Sequence, residues 1–80
     1  MAVKILHNEY DAQSRRFVAD MLATGRTDIE VINWYNPEDL QAWIDNGGTL
    51  EVCAFPTVMI GDAMMMNPSV ADVVAAISSG

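Results

Sequence analysis

The chain lacks the residues on which several classes of small protein depend. It has one cysteine, Cys53, among 80 residues, so no disulfide can close within the chain. Secreted domains of this size normally carry several bridges, and residues 1–6 form too short an apolar run for a signal peptide. No segment approaches the roughly 20 apolar residues that span a bilayer. We therefore expect a single cytoplasmic domain over residues 1–80.

Basic residues are also scarce. Four lysines and arginines face eleven aspartates and glutamates, giving a formal net charge of −7. Binding to nucleic acids or to anionic membranes depends largely on basic side chains, so neither partner is expected. Arg15 and Arg16 are the only adjacent bases and the one place where an anionic partner would be sought. Elsewhere the acidity serves solubility.

Hydrophobic residues make up 51% of the chain, enough for one small core. Residues 2–6, 29–32, 57–60 and 63–66 read as strands. Three helices are predicted, at about 12–24, from 37 to a stop at Gly47-Gly48, and from 68 onwards. The residues that begin them are Asp11, Asn36-Pro37 and Asn67-Pro68. Their predicted apolar faces are Phe17, Val18, Met21 and Leu22; Leu40, Trp43 and Ile44; and Val70, Val73, Val74 and Ile77.

The predicted order is β-α-β-α-β-β-α. The first strand–helix–strand crossover implies parallel neighbours with a right-handed connection. The two short strands around Gly61-Asp62 imply an antiparallel hairpin. The expected fold class is therefore α/β, a mixed four-stranded sheet flanked by three helices on its two faces.

Two segments carry a resemblance to a known family. Residues 3–16, VKILHNEYDAQSRR, are similar to the first strand, loop and helix start of glutaredoxins, and residues 55–61, FPTVMIG, resemble their Val-Pro segment, strand and turn. The likeness covers nearly the whole chain and implies a thioredoxin-like fold. It also implies a cis bond before Pro56. In this alignment Asp11 and Ser14 occupy the positions of the family's Cys-x-x-Cys motif.

The resemblance implies a ligand groove formed by Tyr10, Asp11, Phe55, Pro56 and Thr57. In the family, the backbone before the cis-proline pairs with an extended, peptide-like ligand. The glutathione-holding acidic segment of the family falls on residues 67–70 here, where both acids are missing. Glutathione is thus the cofactor that the family suggests, with one end of its site damaged.

Asp11 and Ser14 change the chemistry that the family performs. Disulfide exchange requires a thiolate, and relatives stabilise theirs at a helix N-terminus. An aspartate there keeps the negative charge and is expected to accept N–H bonds, but it forms no mixed disulfide. As an ordinary N-cap, Asp11 would contribute about 1 kcal/mol relative to alanine. The sequence therefore predicts a non-catalytic binding module for a protein, peptide or small thiol.

Alternative functions depend on other residues. Cys53 is the remaining thiol and would carry a thiol–disulfide or glutathione-linked activity, alone or with a partner's cysteine. A purely structural or dimerising domain is a third hypothesis, for which Trp34 and Tyr35, if exposed together, would mark the interface.

A second likeness and two metal hypotheses carry less weight. His7-Asn8 followed by Ser14-Arg15 is similar to the loop of thioredoxin-fold arsenate reductases, again with Asp11 at the cysteine position. His7, Glu9 and Asp11 alternate and would share a face as metal ligands. The methionines of residues 64–66 suggest a soft metal, but consecutive strand residues face opposite sides of a sheet.

Overall fold

The secondary structure follows the predicted β-α-β-α-β-β-α order. The computed structural model describes residues 2–51 and 54–79. The elements are β1 (Val3–His7), α1 (Ala12–Leu22), β2 (Ile29–Asn33), α2 (Pro37–Asp45), β3 (Thr57–Ile60), β4 (Ala63–Met66) and α3 (Val70–Ser79). The first helix is two residues shorter than predicted, and Gly25 beyond it takes the positive φ of 81° that glycine tolerates.

The four strands form one mixed sheet in the order β2-β1-β3-β4. β1 and β2 are parallel, β3 is antiparallel to β1 with Thr57 opposite Leu6, and β4 pairs antiparallel with β3. The predicted parallel crossover and the predicted hairpin are both confirmed. The carboxyl ends of β1 and β2 consequently share one edge of the sheet with the start of β3.

Alternating strand residues supply a core on each face of the sheet. On one face, α1 and α3 cover strand residues with Phe17, Met21 and Val73. On the other face, α2 contributes Trp43, which packs with Leu6, Ile32 and Met59. The prediction of helices on both faces is therefore confirmed. None of the helices within the described residues is long and apolar enough to cross a bilayer.

The predicted apolar face of each helix includes one residue that the structure leaves exposed to solvent. Leu22, Ile44 and Val74 are exposed, whereas they were expected in the core. Each directly follows a fully buried residue of its helix, namely Met21, Trp43 and Val73. Consecutive helical residues point about 100° apart. Because only a narrow stripe of each helix contacts the sheet, the side chain that follows a fully buried residue points towards solvent.

The start of α3 also differs from the prediction. Asn67 does not begin the helix, since its φ of 50° is left-handed and α3 starts at Val70. Ser69 and Asp72 instead exchange hydrogen bonds between side chain and backbone N–H, at 3.0 and 3.2 Å. This reciprocal pair satisfies two N–H groups at the helix start, as a capping box does, and leaves Asn67 available for contacts elsewhere.

Candidate functional site

Three loops meet at one edge of the sheet, which we call the loop edge. They are residues 8–11 between β1 and α1, residues 34–36 between β2 and α2, and residues 54–56 before β3. Parallel pairing of β1 with β2 and antiparallel pairing of β1 with β3 bring them to the same end. In open α/β sheets, ligands bind outside the carboxyl ends of the strands. The loop edge is therefore the candidate site.

Asp11 and Ser14, the two positions aligned with the cysteine pair, have different surroundings. Asp11 stands at the N-cap position of α1 and has the extended backbone typical of that position, but its side chain makes no cap hydrogen bond. The prediction that its carboxylate accepts first-turn N–H groups is therefore wrong. Ser14 is fully buried, and its Oγ accepts a 3.1 Å hydrogen bond from the Asn8 N–H. The serine, one turn into the helix, thus binds the loop before α1 through the Asn8 N–H and does not cap the helix.

The segment before β3 is held by its own hydrogen bonds. The Phe55–Pro56 bond is cis, as the resemblance implied. Pro56 and Thr57 are buried, and the Thr57 hydroxyl donates to the Ala54 carbonyl at 2.8 Å. Phe55 is half-buried and packs edge-to-face against Trp34, with ring centroids 5.3 Å apart. Cys53 lies outside the described residues.

Asn67 connects this segment to the start of α1. Its N–H donates to the Pro56 carbonyl at 2.8 Å, and its Oδ1 accepts a 2.8 Å bond from the Gln13 amide. The first turn of α1 and the Pro56 segment are thus joined through one residue. Gln13 is not among the site residues predicted from the sequence, and Asn67 is predicted there only as the cap of the third helix.

The loops after β1 and β2 have the same construction, which we call the tyrosine turn. Residues 8–11 read Asn-Glu-Tyr-Asp and residues 33–36 read Asn-Trp-Tyr-Asn. In each, the asparagine side chain accepts from the tyrosine N–H, at 2.9 Å for Tyr10 and 3.0 Å for Tyr35. In each, the asparagine carbonyl accepts a 3.0 Å bond from the N–H of the residue before the helix.

The two tyrosine turns bring their tyrosines together. The rings of Tyr10 and Tyr35 are 4.8 Å apart between centroids and inclined by 78°. Both remain open to solvent, with 75% of Tyr10 and 52% of Tyr35 exposed. Tyr35 was not predicted to join the ligand groove. The repeated Asn-x-Tyr-Asp/Asn pattern at two strand ends is the sequence signal that could have revealed it.

A shallow, open depression of about 590 Å³ lies beside Tyr35. Its lining residues come from the β2–α2 junction: Asn33, Tyr35, Asn36, Pro37 and Glu38. Tyr35 supplies the aromatic surface, and Glu38 supplies a carboxylate at the start of α2. A ligand contacting the tyrosine pair would therefore meet negative charge on this side.

His7 lies beneath the loop edge, half-buried at the end of β1. Its Nδ1 is buried and has no hydrogen-bond partner among the described residues. Burial lowers the pKa of His7, while the carboxylates of Glu9 and Asp39 act in the opposite direction. The net effect favours the neutral imidazole.

The described parts of the chain hold no metal-binding group of three or more His, Cys, Asp or Glu side chains. His7, Glu9 and Asp11 do not form such a group within the described residues. Met64 and Met65 pack against the opposite core clusters, so they do not converge on one ion either.

Comparisons with known proteins find no match for this chain among family models, curated proteins or solved structures. The resemblance to glutaredoxins, and the weaker one to arsenate reductases, stay predictions. The function has to be inferred from the loop edge and its residues.

Proposed function

We propose that the chain is a glutaredoxin-like domain of the thioredoxin fold that binds an extended peptide or thiol ligand without performing dithiol chemistry. The ligand groove comprises Tyr10, Asp11, Phe55, Pro56 and Thr57. The observation that carries this proposal is the state of Ser14, which is fully buried and hydrogen-bonded to Asn8. A buried serine at the second cysteine position, with its hydroxyl bound to a loop N–H, stabilises the loop and takes no part in a reaction.

The available side chains support binding over catalysis. Disulfide exchange needs a thiolate that attacks sulfur, and the carboxylate of Asp11 is not such a nucleophile. Activation of Ser14 would need an adjacent general base. The Nδ1 of His7, the only histidine, has no hydrogen-bond partner within residues 2–51 and 54–79, and the hydroxyl of Ser14 is engaged by a backbone N–H.

The surroundings of Phe55 favour an extended ligand. The Thr57–Ala54 and Asn67–Pro56 hydrogen bonds fix the backbone on both sides of the Phe55–Pro56 unit. Extended peptides gain affinity by pairing with main-chain groups of such a segment. Because the segment is already held in place, binding would cost little ordering entropy.

The direct test is an NMR titration of the 15N-labelled chain with reduced glutathione and with the peptide acetyl-Gly-Val-Arg-Val-Gly-amide. We expect the amide signals of Tyr10, Phe55 and Thr57 to shift with the peptide. Tyr10→Ala should weaken the binding, and Leu22→Ala, an exposed apolar residue at the far end of α1, should not. Shifts confined to other surfaces, or no shifts with either probe, would reject the groove.

A disulfide-reduction assay with glutathione as reductant tests the alternative activity. We expect no turnover from the unmodified chain. Turnover that disappears in Cys53→Ser would establish the thiol-based enzyme and reject the non-catalytic proposal.

The correspondence with the cysteine pair can be tested by restoring the cysteines. In a Cys53→Ser background, Asp11→Cys together with Ser14→Cys leaves two thiols at the N-cap and one turn into α1. Under mild oxidation they should form an intramolecular disulfide, measured by thiol titration and mass. A folded variant whose thiols both stay free would contradict the alignment.

A further inference from the structure

The exposed tyrosine pair points to the chemistry of the ligand. We infer that Tyr10 and Tyr35, with Glu38 beside them, bind a positively charged side chain, arginine or lysine, of the peptide that occupies the groove. The inference rests on the proposed function, since Tyr10 belongs to both sites. It names a ligand class opposite in charge to glutathione.

The geometry of the rings suits a cation. Two rings inclined by 78° at 4.8 Å form two walls of a corner. The face of an aromatic ring is negative, and a cation within about 6 Å of its centre is attracted to it. Arginine also stacks on such faces. The exposure of both rings leaves this corner open to a ligand.

The backbone that carries each ring is held in place before any ligand arrives. Each tyrosine N–H is bound by an asparagine side chain, and each turn is closed by a backbone hydrogen bond of 3.0 Å. Tyrosine also has few rotatable bonds, so contact area is gained at low entropic cost. Two turns of the same construction thus present two rings from hydrogen-bonded backbone positions.

The charge around the pair complements a cation. Glu38 lines the depression next to Tyr35, and Glu9 and Asp11 flank Tyr10 in the chain. The described ion pairs, Lys4–Glu30 and Arg26–Asp28, involve none of these acids. Acidic groups around a pocket raise the local concentration of cations and disfavour anions.

The bases closest to Tyr10 along the chain lie in α1. Arg15 and Arg16 are exposed, and Arg16 lines a separate depression with Ala12 and Gln13. The tyrosine pair and Glu38 therefore present aromatic and acidic groups to a ligand, and Arg16 belongs to a different surface.

The test compares two peptides that differ only in charge. Acetyl-Gly-Val-Arg-Val-Gly-amide is titrated against the same peptide with citrulline in place of arginine. We expect about tenfold tighter binding of the arginine peptide in low salt, within the range of a cation–π contact supported by a carboxylate. The preference should fall when the salt is raised to about 0.3 M, where charges are screened.

Variants of Tyr35 and Glu38 separate this contact from the groove. Tyr35→Leu should abolish the preference for arginine, Tyr35→Phe should retain it, and Glu38→Gln should reduce it. Val74→Ala, an exposed apolar residue on α3, is the matched control and should change nothing. A preference that survives Tyr35→Leu unchanged would overturn the inference.

The NMR signals distinguish the failure of each proposal. Equal binding of both peptides, with shifts at Phe55 and Thr57, would leave the groove intact and reject the cation site. A charge-dependent shift of the Tyr10 and Tyr35 ring signals without any shift at Phe55 or Thr57 would support the cation site and reject the groove. Absence of binding by both peptides would reject both.

Discussion

At the scale of the residue, Asn8 organises the loop that carries Tyr10 and Asp11. Its N–H donates to the Ser14 hydroxyl, its Oδ1 accepts from the Tyr10 N–H, and its carbonyl accepts from the Asp11 N–H. The backbone N–H, the backbone carbonyl and the side-chain carbonyl of Asn8 are thus all hydrogen-bonded to residues no more than six positions away. The partly buried N–H of Asn8 needs an acceptor, and this explains why a serine is present at position 14.

Ser14→Ala should therefore destabilise the chain. The variant leaves the Asn8 N–H without its acceptor, which costs about 1–3 kcal/mol of unfolding free energy. Ala19→Ser, at an exposed position of the same helix, should change the free energy by less than about 0.5 kcal/mol. Urea denaturation of both variants measures the difference. Equal stabilities would mean that water replaces Ser14 at no cost.

The titration of His7 should make the chain less stable as the pH falls. Burial lowers the pKa of His7 in the folded state, whereas the unfolded value is about 6.5. The unfolded chain then binds more protons, so the free energy of unfolding decreases from about pH 6.5 down to the lowered pKa and is level below it.

Urea denaturation between pH 7.5 and pH 5 measures this dependence, with His7→Gln as the variant that cannot titrate. The variant should lose the slope that the unmodified chain shows. The hydrogen bond from Arg26 lowers the pKa of Asp28, so the stability that this pair contributes is lost only below about pH 4. Identical slopes for the two chains above pH 5 would contradict the assignment to His7.

At the scale of the element, α1 and α2 begin from the same tyrosine turn but are capped differently. The Asn36 side chain accepts from the Glu38 and Asp39 N–H groups, at 3.0 and 3.3 Å. Asp11, at the corresponding position of α1, makes no such bond. Because the carboxylate of Asp11 does not cap α1, it remains available to a ligand at the loop edge.

Alanine substitutions at these two positions should differ in cost. Asn36→Ala should lower the free energy of unfolding by about 1 kcal/mol, the usual value for a lost cap. Asp11→Ala should lower it by less, because only the favourable charge at the helix start is removed. Thermal and urea denaturation of the pair give the comparison. An equal or larger loss for Asp11→Ala would show that its carboxylate caps α1 in solution.

The boundaries of α2 were predictable from local signals, but the end of α1, the start of α3 and the width of each buried face were not. Asn36-Pro37 and Gly47-Gly48 bracket α2 in the sequence as in the structure. Leu22, Ile44 and Val74 looked like core residues because they are apolar and helically spaced. Their exposure depends on how each helix lies on the sheet, which the periodicity of one helix does not specify.

At the scale of the whole molecule, the excess of acidic residues opposes folding. A net charge of −7 on 80 residues brings like charges together when the chain becomes compact. The two ion pairs within the described residues, Lys4–Glu30 and Arg26–Asp28, are partly exposed, and such pairs contribute little. Repulsion should therefore be the larger effect of charge on stability.

Added salt should accordingly stabilise the chain. Raising sodium chloride from about 10 mM to about 300 mM shortens the screening length and weakens the repulsion. We expect a rise in Tm of a few degrees by circular dichroism, and a smaller rise in Glu38→Gln, which carries one charge less. A fall in Tm with salt would mean that the ion pairs outweigh the repulsion.

The sequence by itself determined the element order, the parallel crossover, the hairpin and the two-sided core. Each depends on caps, turns and periodicity, which act over a few neighbouring residues. Only the tertiary structure decided that Tyr10 meets Tyr35, that Asn67 joins Gln13 to Pro56, and that the Ser14 hydroxyl accepts from the Asn8 N–H. Tyr10 and Tyr35 are 25 positions apart, and Asn67 lies 54 positions from Gln13 and 11 from Pro56. The Ser14 bond depends on how one loop folds back on its helix. Local propensity does not encode such positions, because they follow from how strands and helices pack.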